Sequence, residues 1–395
     1  MVEEECFLHK ETNRLLRPFS EAAGVRCRSH SLPLERAVTD LGADLPFGQV
    51  AAKIKEHYGV DLAVSAPRTL TERVACELTE ADCLPVAGPS NTAKRLIVET
   101  DGGMVPLVET VEGAADARKG KRTHWREAKV CIAQRQGEAV PKAGVTMEGP
   151  REAGAILKRL VDALGFGPKT QVHCVGDGAA WISSQIEELF GTQGTFLVDL
   201  FHVCEYLTPA SKVCAPDSAQ DWVASQKARF LLGQAREVVA EMKLHLEPAS
   251  VDDPQAPVRV AWRYFSNRLD QLDYPRALAL NLPVGSGEVE SSHRYLVQAR
   301  LKRPGAWWRA DMAQAMINLR VMRHHQLWET YWEKRWAEPL RRAVKTETPR
   351  PTLSFACAVQ RRCLPAGAKP VRQLSLRPVA TGAVVEVTKR LKPLV

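Results

Sequence analysis

Apolar side chains recur three and four residues apart between residues 33 and 78, which is the spacing of helices with one buried face. Gly59 interrupts this pattern and predicts a helix end, and a second helix is expected from Arg68 after a connector at residues 60–67. Two helices joined by a turn fit either a helix-turn-helix that enters a DNA major groove or an ordinary helical hairpin. Under the first interpretation the second helix would contact DNA through Arg68, Thr69 and Thr71.

The periodicity changes to that of strands after a linker at residues 84–91. Residues 95–101 form a β-rich run that ends at Gly102 and Gly103, and residues 104–108 follow at once, so the pattern predicts a hairpin. Further strands are predicted at 129–133, 170–175 and 194–199, with helices at 149–165 and 181–190. The order β-β-β-α-β-α-β is that of an RNase H-like core. The predicted fold class is therefore α/β, with a mixed five-stranded sheet and flanking helices.

The pattern from residue 204 to about 280 is wholly helical and is interpreted as an all-α insertion into this core. A loop at residues 283–291 then leads into a helix that continues to about Lys302. The predicted organisation has five parts. They are a helical N-terminal domain at 1–90, the first part of the core at 91–203, the insertion at 204–280, the last part of the core at 281–345 and a basic tail rich in Pro and Arg at 346–395.

Composition narrows the class of protein. The 395 residues carry a formal net charge of +8, which favours an acidic partner such as nucleic acid. The acidic N-terminus is unlike a secretory signal and no apolar run reaches membrane-spanning length, so we expect a soluble, cytoplasmic protein without a membrane partner. The ten cysteines suggest reduced thiols. Two pairs, Cys6 with His9 and Cys27 with His30, leave a zinc site as the alternative.

Acidic residues lie where this topology would bring chain segments together. Asp101 follows the first predicted strand, Asp177 follows the fourth, and a glutamate, Glu288 or Glu290, lies on the helix after the insertion. Three converging carboxylates can hold two Mg²⁺ or Mn²⁺ ions, and such a pair supports in-line phosphoryl transfer. Each acid also has a structural alternative, since Asp-Gly pairs favour turns and a glutamate in the first helical turn is stabilised by the helix dipole.

The chain resembles the ISKra-type bacterial insertion-sequence transposases, a group of DDE transposases related to the Mutator-like enzymes. The resemblance covers about residues 30 to 340 and depends most on three motifs, Val98-Glu-Thr-Asp-Gly-Gly-Met-Val105, Gly176-Asp-Gly-Ala-Ala-Trp181 and Pro283-Val-Gly-Ser-Gly-Glu-Val-Glu-Ser291. Shorter matches are Glu56-His-Tyr-Gly-Val60, Trp125-Arg-Glu-Ala-Lys129, Asp199-Leu-Phe-His202, Arg300-Leu-Lys-Arg303 and Asn318-Leu-Arg320.

This resemblance implies a catalytic, metal-binding triad of Asp101, Asp177 and Glu290, with His202 near the active site and in contact with transposon DNA. It also implies cleavage and strand transfer at the ends of an insertion sequence in the bacterial nucleoid. The partners would be terminal inverted repeats and target DNA, and a homodimer or higher oligomer would join two ends. From their charge alone, Arg300, Lys302 and Arg303 are candidate phosphate contacts, or else a solvated helix face.

Two other functions share parts of this evidence. A domesticated DNA-binding protein would use the N-terminal helices and basic surfaces without chemistry, but it would have no need of three acids close to a polyanion. A nuclease on the same RNase H-like fold would share the metal site without recognising paired inverted repeats. Trp181 could stack on a displaced base, or belong to the core of its amphipathic helix.

Overall fold

The computed structural model describes residues 30–85, 91–110 and 120–337, together with the backbone of four short strands outside these ranges. The chain divides into two compact units. One comprises Met1–Ala37 and Thr330–Val395, and the other comprises Val38–Glu329. The proposed zinc ligands Cys6, His9 and Cys27 and most of the basic tail lie outside the residues whose side chains are described.

The first unit contains a small antiparallel sheet. Its strands are β1 (Cys6–His9), β2 (Arg14–Leu16), β8 (Arg377–Pro378) and β9 (Val384–Val387), in the order β2-β1-β9-β8. Within the same unit, Glu35 is fully buried and one of its carboxylate oxygens lies 2.7 Å from Nη2 of Arg335. This pairing compensates the buried charge of the glutamate.

The second unit is built on a mixed five-stranded sheet with helices packed against it, which places the protein in the α/β class. The strand order is β5-β4-β3-β6-β7, and β6 runs parallel to both β3 and β7 while the other pairs are antiparallel. The strand that carries Asp101 and the strand that ends before Asp177 are therefore neighbours. The strands are β3 (Arg95–Thr110), β4 (Lys121–Arg135), β5 (Lys142–Thr146), β6 (Gln171–Gly176) and β7 (Gly194–Val198).

The hairpin predicted at Gly102 and Gly103 is wrong. Both glycines lie inside β3, a continuous 16-residue strand, where they pair with Lys129 and Ala128 of β4. The two strands predicted on either side of them are one strand, and the third strand of the sheet is β5, which the sequence pattern did not indicate. Asp101 consequently lies in the middle of a strand and not at its end.

Helices surround the sheet and fill the interval between β7 and the last part of the unit. Residues 204–280 form helices and short turns of helix, and Gly233, with a φ of 82°, separates two of these helices. The bounds are α1 (Leu32–Asp44), α2 (Phe47–Tyr58), α3 (Ala66–Glu77), α4 (Glu80–Cys83), α5 (Pro150–Ala163), α6 (Ala180–Phe190), α7 (Leu200–Cys214), α8 (Ala219–Leu231), α9 (Ala235–Met242), α10 (Pro257–Ser266), α11 (Tyr274–Ala279), α12 (Gly287–His293), α13 (Ala299–Leu301), α14 (Ala310–His324) and α15 (Trp328–Ala337).

The N-terminal helices agree with the sequence prediction at the end of α2 but not in the packing of α3. Gly59 ends α2 in the left-handed conformation, with φ at 66°, as predicted. The helix α3 packs against α14, and Thr71 on its inner face is fully buried with its hydroxyl 3.5 Å from the carbonyl of Val38. The prediction that Thr71 contacts DNA is therefore wrong, because its side chain belongs to the core between helices.

Two further observations concern the whole described region. None of the helices in residues 30–85, 91–110 and 120–337 is long and apolar enough to cross a membrane. The six cysteines within these ranges are free thiols, and three of them, Cys83, Cys131 and Cys174, are buried.

His325 joins three elements and generates a prediction about stability. Its Nε2 accepts the N–H of Ala143 at 3.0 Å, so Nδ1 carries the proton and donates to the carbonyl of Cys83 at 2.8 Å. Burial lowers the pKa of His325 to about 4, against about 6.5 in an unfolded chain. The folded state therefore resists protonation, and its stabilisation, complete above pH 6.5, is lost as the pH falls toward 4.

We expect the free energy of unfolding to fall between pH 7 and pH 4.5 by about 2 to 3 kcal/mol more in the wild type than in His325→Gln. Urea denaturation at the two pH values measures this difference. His57→Gln, at an exposed position on α2, is the matched control and should keep the wild-type dependence. Equal pH dependence in the wild type and His325→Gln would contradict this account.

Candidate active site

Three predicted carboxylates lie on three different elements of the second unit. Asp101 is half-buried in β3, Asp177 follows the last residue of β6, and Glu290 is exposed on α12. The parallel register pairs Glu99 with Val175, so two residues further along the strands Asp101 comes level with Asp177. The topology therefore brings the two aspartates to adjacent positions of neighbouring strands.

The electrostatics of Asp101 show that the third acid is also close. Burial raises the pKa of Asp101 to about 6, against the opposing effect of the Gly102 N–H. Repulsion by the charges of Asp177 and Glu290 raises this pKa further, while His202 lowers it. Asp177, Glu290 and His202 thus all act on Asp101, and added positive charge at this point would relieve the repulsion of Asp101 by the two other acids.

The two glutamates of α12 face different neighbours. Glu290 acts on Asp101, whereas Glu288 acts on the more deeply placed Glu99. Residues two apart on a helix point about 200° apart, so only one of them can face the aspartates. The placement favours Glu290, in agreement with the motif that carries it.

A buried carboxylate that the sequence did not single out anchors this helix. Glu99 is only 1% exposed, and its Oε2 accepts the N–H of Val289 at 2.9 Å in the first turn of α12. Burial raises the pKa of Glu99 to about 7. Because Glu99 and Asp101 are two residues apart on one strand, they share a face of the sheet. One face of β3 therefore both presents Asp101 and holds the helix that carries Glu290.

Ser286 directly precedes α12, but its side chain does not cap the helix. Its N–H donates to Oδ2 of Asp199 at 2.8 Å, and its hydroxyl donates to the same oxygen. Asp199 is fully buried and also accepts the N–H of Phe201 at 2.6 Å, so it caps α7. One carboxylate at the end of β7 therefore fixes both the start of α7 and the loop before α12.

His202 lies between this anchor and the site. Its Nδ1 is 3.8 Å from Oδ2 of Asp199, an ion-pair distance that is too long for a hydrogen bond. The contact with Asp199 raises the pKa of His202, and the charges of Glu205 and Asp177 act in the same direction. His202 thus offers a proton donor on the edge of the carboxylate group.

Close packing between α12 and β3 depends on a glycine. A Cβ at Gly103 would overlap the ring of His293, which is 2% exposed. Nδ1 of His293 lies 3.1 Å from Nε2 of Gln298, within the π-helical turn Arg294–Gln298 that follows α12. Gly103 is therefore required because the helix approaches the strand too closely for a side chain.

Side chains of α10 and of the residues just after it stabilise the turn at Asp177. The hydroxyl of Tyr264 donates to the carbonyl of Asp177 at 2.7 Å, and Nε of Arg268 donates to the carbonyl of Gly178 at 2.8 Å. Gly178 has a φ of 81°, and a Cβ there would overlap both side chains. Oδ1 of Asp177 accepts the N–H of Ala179 at 2.8 Å, as expected if Asp177 stabilises the turn. Its second carboxylate oxygen is left free for a ligand.

The oxygen atoms of these acids are of the donor type that hard cations prefer. A cleft of about 390 Å³ opens at Asp177 and His202. Carboxylate oxygens are the ligands that Mg²⁺ and Mn²⁺ prefer. In the described part of the chain, however, no group of three or more His, Cys, Asp or Glu side chains converges on one point as it would around a metal ion.

The side chains predicted to contact DNA differ in how far they are exposed to solvent. Arg68 is exposed and pairs with Glu72 at 2.9 Å, and Thr69 is half-buried with its hydroxyl bonded to the carbonyl of Ser65 at 3.0 Å. No observation in this structure tests whether α2 and α3 form a DNA-binding helix-turn-helix, so that assignment stays a prediction. Lys302 is exposed.

The basic residues after α12 do not form one exposed face. Arg300 is 2% exposed and its guanidinium lies 4.7 Å from the ring centroids of both Phe47 and Trp308. Arg300 is thus part of an aromatic sandwich, so the alternative that it belongs to a solvated helix face is wrong, while its role as a phosphate contact stays a prediction. Arg303 is half-buried and donates from Nη2 to the carbonyl of Asp44 at 2.8 Å. Trp181 is half-buried, with Nζ of Lys129 5.7 Å from its ring centroid.

Comparisons with known proteins are distant. One solved structure, the Drosophila P element transposase strand transfer complex, aligns with 80% of this chain and 83% of its own, at 9% sequence identity and a TM-score of 0.31. This likeness is too remote to assign a fold or a function. No protein-family model matches the chain, and no curated protein matches it.

The contact between Gly103 and His293 can be tested directly. We expect Gly103→Ala to destabilise the protein by about 1 to 3 kcal/mol, because the buried imidazole has to be displaced together with α12. Denaturant unfolding measures the change. Gly48→Ala is the matched control, since a Cβ at this helical position meets no atom within 4 Å and should be neutral or slightly stabilising. Equal stability of the two variants would contradict the close packing.

Proposed function

We propose that the chain is a DNA transposase with an RNase H-like core of the ISKra type, and that it cleaves and joins strands at the ends of an insertion sequence. The observation that supports this most is the placement of Asp101, Asp177 and Glu290 on β3, after β6 and on α12, where the latter two raise the pKa of the first. Mutual repulsion among acids on neighbouring elements is an arrangement that cations relieve.

In this proposal Asp101, Asp177 and Glu290 hold two Mg²⁺ or Mn²⁺ ions. The bound ions would activate a water or a 3′-hydroxyl for in-line attack and stabilise the leaving oxygen. Asp101 would bind the ions as a carboxylate, the form that nearby cations favour. His202, whose pKa is raised, donates a hydrogen bond to a phosphate oxygen of the DNA at the edge of the cleft.

Three further residues would orient the proposed metal ligands without binding the ions themselves. Glu99 fixes the first turn of α12 and thereby the direction of Glu290. Tyr264 and Arg268 fix the turn at Asp177. The proposed partners are terminal inverted repeats and target DNA, with a homodimer or higher oligomer that joins two ends. Lys302 and Arg68 remain proposed phosphate contacts, because both side chains are exposed.

A comparison of the two glutamates of α12 tests the function and the site together. With DNA that contains the sequences flanking its own reading frame, we expect metal-dependent nicking or joining by the wild type in Mg²⁺ or Mn²⁺ and none in EDTA. Glu290→Gln should lower the rate by at least about 100-fold with DNA binding intact, because it removes a charge that the cations require. Glu288→Gln, two residues away and equally exposed, is the control and should keep most activity.

The outcomes separate the alternatives. Undiminished cleavage in EDTA would rule out metal chemistry, and full activity in both variants would remove α12 from the site. Loss of activity in Glu288→Gln alone would transfer the role to that residue. Metal-dependent cleavage of any DNA, without preference for the flanking sequences, would point to a nuclease on this fold. Binding without cleavage under all conditions would point to a domesticated DNA-binding protein.

A further inference from the structure

A second cleft, apart from the carboxylates, lies at the far end of β3. Its volume is about 420 Å³, and α2, α3, the end of β3 and residues 303–309 contribute to its walls. The lining includes five cations and one carboxylate, namely Arg68, Lys121, Arg300, Arg303, Arg309 and Glu72. Such an excess of positive charge in a concave site attracts an anionic ligand.

Two buried donors in this wall have no hydrogen-bond partner among the residues that the structure describes. Arg300 and Trp308, which are 2% and 6% exposed, both line the cleft. Among the described residues, neither Nη2 of Arg300 nor Nε1 of Trp308 has a hydrogen-bond partner. Arginine and tryptophan can only donate hydrogen bonds, so the missing partner must be an acceptor. Phosphate oxygens supply acceptors together with the negative charge that the cleft favours.

An exposed aromatic ring stands beside these donors. Trp307 also lines the cleft and is 48% exposed, so part of its ring is accessible to a ligand. A tryptophan face next to cations is the pairing that holds the base and the phosphate of single-stranded nucleic acid. A base inside a duplex is already stacked on its neighbours and cannot lie on this ring.

We propose that this cleft binds an unpaired nucleotide of a DNA strand, with its base on Trp307 and its phosphate toward Lys121 and Arg300. The choice of DNA as ligand rests on the proposed function, whereas the binding itself requires no catalysis. Val108 lines the cleft and donates its N–H to the carbonyl of Trp308 at 2.8 Å. At about 3.3 Å per residue, Val108 lies roughly 23 Å along β3 from Asp101, so the nucleotide is remote from the reacting phosphate.

Fluorescence anisotropy with a labelled single-stranded thymidine oligonucleotide tests this site on the full chain, in EDTA so that no cleavage occurs. We expect Trp307→Ala to weaken binding by roughly 5- to 100-fold, the range found for loss of one stacked base. Trp307→Phe should restore part of this loss. Trp125→Ala is the matched control, because Trp125 is 57% exposed but does not line the cleft. Lys121→Gln should reduce the magnitude of the salt dependence of binding by about 0.7 in the log-log slope.

The same titration with a duplex of equal length distinguishes stacking from simple attraction of charge. The proposal predicts that duplex binding is nearly unchanged in Trp307→Ala. Wild-type affinity of Trp307→Ala for the single strand, or an equal loss for single strand and duplex, would overturn it. Failure of the proposed function is a separate result, since it would appear as absent metal-dependent cleavage in a wild type that still binds the single strand through Trp307.

Discussion

The structure depends most on the close contact between the helix that carries Glu290 and the strand that carries Asp101. Two residues of β3 make this contact possible, one on each side of the aspartate. Glu99 bonds the first turn of α12, and Gly103 leaves room for the ring of His293. Because both lie on the same face as Asp101, a single strand sets the distance between two of the three acids.

The close packing of α12 on β3 also buries acidic side chains, and burying their charge costs free energy. Glu99 and Asp101 have raised pKa values because burial disfavours their charged forms, and neighbouring acids add to the effect. Asp199, by contrast, is buried but has a lowered pKa, since His202 and the donors of Ser286 and Phe201 outweigh its burial. Hydrogen-bond donors of the protein thus hold Asp199 in its charged form, whereas burial outweighs the donors that Glu99 and Asp101 have.

The sequence predicted the order β-β-β-α-β-α-β, but with a false hairpin and without β5, and its three catalytic acids stay a prediction. Gly102 and Gly103 follow an Asp and look like a hairpin turn, but inside β3 a Cβ at Gly102 would meet the side chain of Glu127, and a Cβ at Gly103 would meet the ring of His293 on α12. Thr71 and Arg300 have polar side chains at helical positions that could equally face solvent, and only the contacts with α1 and Trp308 bury them. Glu99 could have been identified, because it stands two residues before Asp101 and so shares its face.

The central claim is that Asp101, Asp177 and Glu290 form one cation-binding group, and its most direct measurement is the number of Mn²⁺ ions bound per chain. Electron paramagnetic resonance counts free and bound Mn²⁺ without any need for DNA cleavage. Our account predicts two bound ions for the wild-type chain in the presence of DNA and a marked loss of binding in Asp101→Asn. No bound Mn²⁺ in the wild type, or equal binding in the wild type and Asp101→Asn, would contradict it.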